Sequence, residues 1–161
     1  MKKIIFGVAL LLAALLQTTV FNYLRIFNVK PDLLLIVAVS GVFSMQERQA
    51  LFFCLFCGLF KDIFASGILG INTVLFCVWG LVISRLSRQL TIDNNYVRIG
   101  TMFVISILNN IALGAAVVYP GKSVPAGVFL RIIILGSFYT TVIFGLISMV
   151  FPFDKEAAQN D

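Results

Sequence analysis

The sequence predicts an all-α polytopic membrane protein with about six transmembrane helices. Two observations carry that expectation. Of the 161 residues, 60% are hydrophobic, with a mean hydropathy of +1.04, and the apolar residues fall in long runs divided by short polar breaks. A water-soluble chain of this size has too little interior to hide so many Leu, Ile, Val and Phe side chains. The bilayer is the solvent that suits it.

The first helix is expected over Ile4–Leu24. Its start, "MKKIIFGVALLLAALLQTTVF", puts Lys2 and Lys3 before an apolar stretch, as a secretory signal does. The run is about 20 residues long, the length of a bilayer span, and no small-x-small cleavage site leads into a polar region. It reads as a retained helix. After the polar break "RIFNVKPD", Pro31 and Asp32 mark the start of the second helix, Leu33–Met45, because Pro suits a first turn and Asp suits the positive end of the helix dipole. "QERQ" (Gln46–Gln49) reads as a tight turn into a third helix, Ala50–Ser66. The second and third helices would then form a compact hairpin.

The fourth helix is expected over Ile68–Leu86, followed by the hydrophilic connection "SRQLTIDNNYVR". The fifth covers Ile99–Tyr119, "PGKSVPAG" turns the chain, and the sixth covers Val128–Phe151. Residues 1–153 make a single transmembrane helical domain, and 154–161 ("DKEAAQND") a short cytoplasmic tail.

The net charge of +5 is spread between the hydrophobic runs, which argues against nucleic acid and for control of topology. With the N-terminus inside, Lys2, Lys3, Arg48, Arg85, Arg88, Arg98 and Lys155 fall on the cytoplasmic side. Arg25, Lys30 and Lys122 fall opposite, joined by the helix-end residues Lys61 and Arg131. The bias puts both termini in the cytoplasm of a multi-pass protein. No histidine exists, which removes histidine triads and zincin sites. "CLFC" has redox-motif spacing but no βαβ context, so Cys54, Cys57 and Cys77 read as soft packing residues. No cofactor and no metal are expected.

Polar residues within the helices need partners, since lipid offers none. Cys54, Gly58, Asp62 and Ser66 recur every fourth position, a small-residue face suited to close packing against the fourth helix or a partner's helix. Lys61 and Asp62 point about 100° apart and do not pair with each other. Lys61 is expected to snorkel as a membrane anchor at the outer edge. Asp62 is expected to bond inward, to the polar or backbone groups of "GILGIN", where Gly67 and Gly70 permit a tight connection. Asn109 and Asn110 in the fifth helix and Gln17 in the first are further interface candidates. Arg85, Arg88 and Arg131 are expected as membrane anchors.

Together, "LLQTTVFNYLRIFNVKPDLLLIVAVSGVF" and "CGLFKDIFASGILGINTVLFCVWGLVISRL" resemble, in order and size, the MreD family of bacterial rod shape-determining membrane proteins, along nearly the whole chain. The family's Gly-x-x-x-Asp element falls on Gly58 and Asp62, and its Pro-Asp element on Pro31 and Asp32. Phe52 and Phe53 stand where relatives often carry glycine. The resemblance implies no catalysis. It implies a scaffold in the cytoplasmic (inner) membrane that binds an MreC-like bitopic membrane protein. Through it the scaffold would reach an MreB-like cytoskeleton, RodA and a class B penicillin-binding protein. It also implies a bundle similar to the substrate-binding subunit of energy-coupling-factor transporters. A small-molecule, vitamin-type binding subunit is the alternative from that side. An intramembrane enzyme is the third class; besides Asp32 and Asp62, no acidic pair is placed to hold a metal, and no histidine can serve as base.

Overall fold

The structure, a computed structural model, describes residues 2–19, 31–64, 69–89, 95–118 and 126–150. These form six helices: α1 (Lys2–Thr19), α2 (Leu33–Ser44), α3 (Glu47–Phe64), α4 (Ile71–Gln89), α5 (Asn95–Val118) and α6 (Ala126–Val150). The expected ends of the first helix (20–24) and the tail (154–161) lie outside the described residues.

α2 is the hub. It touches each of the other five helices, and nearly all of its side chains are buried, from Leu33 to Phe43. At 12 residues it is only about 18 Å long, well short of a hydrocarbon core about 30 Å thick. α3 and α4 pack as a pair against it, with α1 on α2 and α3. α5 and α6 form a second tight pair that meets the first group through α2 and α4. Phe43, near the end of α2, packs against Phe144 of α6 with ring centroids 6.5 Å apart.

Many large apolar side chains of the described residues face outward. Phe52, Phe56 and Ile63 on α3, and Ile134, Phe138 and Leu146 on α6, are exposed. Such surfaces suit a bilayer. α5 and α6 each contain a stretch long and apolar enough to cross it, Asn95–Ala116 and Phe129–Met149.

Several helix boundaries differ from the expectation; besides small shifts at the starts of α1 and α6, α4 ends three residues later, at Gln89, and three helix starts have a physical reason. "QERQ" is not the turn between the second and third helices. α3 begins at Glu47, and the Ala50 amide donates to the Gln46 carbonyl at 2.8 Å. Glu47 is a favourable first-turn residue at the positive end of the dipole, so the polar run starts the helix. α4 starts at Ile71, three residues later than expected, because Gly70 adopts a left-handed φ of +95° and ends the connection. α5 starts at Asn95, four residues earlier than expected, taking "NYVR" into its first turn.

Candidate functional site: a polar layer between helix ends

Asp62 is buried near the end of α3 and accepts four hydrogen bonds from the start of α4. Oδ1 accepts from the Asn72 amide at 3.1 Å and from its side-chain Nδ2 at 2.8 Å. Oδ2 accepts from the Thr73 amide at 2.9 Å and its hydroxyl at 2.6 Å. The first amides of any α-helix have no partner within the helix. A side chain at the residue before the helix usually supplies one, but here that residue is Gly70, which has none. Asp62 performs the task from the neighbouring helix, with its charge at the positive end of α4.

Gly58 makes the approach possible. A Cβ at Gly58 would collide with Thr73 Cα and sit 2.9 Å from its nitrogen, so the first turn of α4 rests on the bare backbone of α3. One turn earlier, Cys54 packs against Gly80 of α4, and its thiol faces the Ala38 carbonyl of α2 at 4.0 Å. The small-residue face of α3 thus lies against α4 and α2. Ser66 and Gly67 lie outside the described residues. All three cysteines are free thiols, two buried and one half-buried.

Lys61 turns the other way and forms an ion pair with Asp32. Asp32 is the N-cap of α2, where Oδ1 accepts from the Leu35 amide at 3.1 Å. The Leu34 amide donates to Oε1 of Gln17 on α1 at 3.2 Å. The amide of Asp32 itself donates to Thr140 Oγ1 on α6 at 3.1 Å. Lys61 Nζ also lies 4.9 Å from the centre of the Phe76 ring on α4, a cation–π contact. Four other helices, α1, α3, α4 and α6, therefore contribute side chains around the N-terminus of α2.

The placement corrects the expectation for Lys61. Its side chain is 12% exposed and that of Asp32 14%, so it is held inside the bundle rather than reaching out as an anchor. Thr140 stands near the middle of the apolar stretch Phe129–Met149, which puts the ion pair level with the centre of α6 and not at its edge. The reason is length: α3 has 18 residues and α6 has 25, so the last turns of α3 need not reach the end of α6.

The remaining expected residues divide. Asn110 Nδ2 donates to Ser137 Oγ on α6 at 3.1 Å. Asn109, beside it, is fully buried. Arg85 and Arg131 are exposed, as an anchor requires, and Arg88 belongs to α4. Sequence reasoning missed three participants: Thr140, Thr73 and Phe76. It also counted Arg98 only as a cytoplasmic charge, whereas Arg98 is buried with its guanidinium 5.9 Å from the Phe43 ring. Among the described residues, no three His, Cys, Asp or Glu side chains come together as a metal site would need.

What this arrangement does chemically is hold helix ends together, with each carboxylate saturated by amides, hydroxyls or an ammonium. A family model described as the rod shape-determining protein MreD matches residues 1–155. The chain belongs to the MreD family. It is therefore a non-enzymatic, polytopic membrane protein of rod-shape determination. No curated protein and no solved structure matches the chain. The MreD match spans every element of the polar layer, from Gln17 on α1 to Thr140 on α6.

Proposed function

We propose that this MreD-family chain is a non-catalytic scaffold of the cell-wall elongation complex. It maintains rod shape and regulates peptidoglycan synthesis through an MreC-like bitopic partner. Through that partner it is linked to an MreB-like cytoskeleton, RodA and a class B penicillin-binding protein. The observation that carries the reading is the family match over residues 1–155. The geometry supports it from another side: Asp32, Lys61 and Asp62 are engaged with helix ends of the same chain. Both termini lie in the cytoplasm on this reading, because basic residues are more frequent in the segments assigned to that side.

Mild detergent extraction of the tagged chain should co-purify the MreC-like protein, and depletion should round the cells. Recovery without that partner, together with unaltered shape after depletion, contradicts the scaffold reading.

A second reading, a vitamin-type binding subunit with a bundle like that of energy-coupling-factor transporters, draws on buried polar atoms of Ser106 and Asn109 that lack protein partners. An organic molecule released from the purified protein in equal amount would favour it.

A further inference from the structure

Among the described residues, the buried side-chain atoms without a hydrogen-bond partner are Asn72 Oδ1, Trp79 Nε1 and, on α5, three atoms of one neighbouring pair. Ser106 Oγ and both side-chain atoms of Asn109, Nδ2 and Oδ1, are buried with no bond to any protein atom. Asn109 is 0% exposed and Ser106 1%. They are three residues apart on a helix, which makes them neighbours on its surface with Cβ atoms about 5–6 Å apart. A single small molecule can bridge that distance.

The face they occupy is defined by its other members. Arg98, Met102, Ile105 and Asn109 recur at spacings of four, three and four, and all are buried. Arg98 lies over Phe43 of α2, so this stripe faces the seam between the α5–α6 pair and the α1–α4 group. Asn110 is turned instead toward α6, where Ser137 accepts its bond. The Asn109 carboxamide carries two donors and an acceptor, and the Ser106 hydroxyl one of each. Native interiors rarely leave such groups unpaired, and internal water is their usual partner when protein supplies none.

We propose that Ser106 and Asn109 bind an internal water molecule in the seam between α5 and the α2-centred group. The water accepts from the Asn109 Nδ2 amide and donates to Ser106 Oγ or Asn109 Oδ1. Water is the occupant because it is the smallest molecule that both donates and accepts, which suits side chains this fully buried. This inference stands apart from the scaffold reading, which it neither requires nor tests.

The test uses the full chain in lipid nanodiscs. Water-edited solid-state NMR on protein with ¹⁵N-labelled asparagine should show transfer from water to one buried carboxamide, the signal that is lost in Asn109→Leu. Asn109→Leu, an apolar residue of similar size, should lower the thermal midpoint by about 2–4 °C, because the hydrogen bonds to water are lost. Ser106→Ala should lower it less, and serves if Asn109→Leu does not accumulate. Absence of water transfer to Asn109, or a midpoint unchanged or raised by both substitutions, overturns the proposal. Denaturing mass spectrometry that finds an organic molecule in equal amount also overturns it.

Discussion

Thr73 donates to Asp62 Oδ2 twice, through its amide at 2.9 Å and its hydroxyl at 2.6 Å. With the two bonds from Asn72 to Oδ1, this makes Asp62 the cap of a helix it does not belong to. The adjacent Lys61 serves the N-cap of another helix, α2. Two charges side by side in an apolar chain thus serve two different helix N-termini, Asp62 by capping α4 directly and Lys61 by pairing with the Asp32 that caps α2. Their divergence by about 100° on α3 is what lets them do so.

Removing the Asp62 cap should destabilise the bundle. Asp62→Ala leaves the Asn72 and Thr73 amides and side chains without their acceptor, at a cost of about 2–4 kcal/mol. Asp62→Asn keeps one oxygen and should cost roughly half as much. Thermal unfolding of the purified variants in detergent checks the order: wild type, then Asn, then Ala.

The Asp32–Lys61 pair should show strong coupling. Lys61→Met strands a carboxylate inside the bundle, and removing one member of a buried pair costs about 3–5 kcal/mol. Asp32→Asn strands the ammonium but keeps a side chain able to cap α2. The double variant removes both charges, so it should be more stable than Lys61→Met alone. A double-mutant cycle on thermal unfolding measures the coupling. Additive effects of the two substitutions would contradict the pairing.

Gly58 should accept no side chain. Gly58→Ala drives a methyl group into the Thr73 backbone, so the start of α4 must lift away from α3 and Asp62 loses its partners. The membrane level of Gly58→Ala should fall toward that of Asp62→Ala. By contrast, Asn110→Ala removes one interhelical bond to Ser137 and should cost only about 0.6 kcal/mol.

Much of the bundle was legible in the residues, because apolar runs of this length leave few alternatives to membrane helices. The start of α2 was legible for a local reason: Pro31 and Asp32 carry their own capping chemistry, and Asp32 bonds to an amide three residues on. The inward role of Asp62 was also within reach, since Asn72 is ten positions away at the end of the Gly-rich connection. The partner of Lys61 was not legible. It lies 29 residues distant, and the bond from Asp32 to Thr140 joins residues 108 apart. No periodicity encodes which helix ends meet in space. The "QERQ" stretch shows the opposite failure, a polar run taken for a turn when its Glu47 favours the first turn of a helix.

The most direct measurement of the central claim, that Asp62 acts inside its own bundle, pairs protein level with cell width. The chromosomal copy is replaced by Asp62→Asn or Asp62→Ala, and membrane abundance and cell shape are scored in the same cells. Capping within the bundle predicts that abundance and rod shape fall together, Ala further than Asn, and that restoring abundance by overexpression restores the rod. Normal abundance with rounded cells would contradict the account, because it would place the role of Asp62 at a partner rather than at the start of α4.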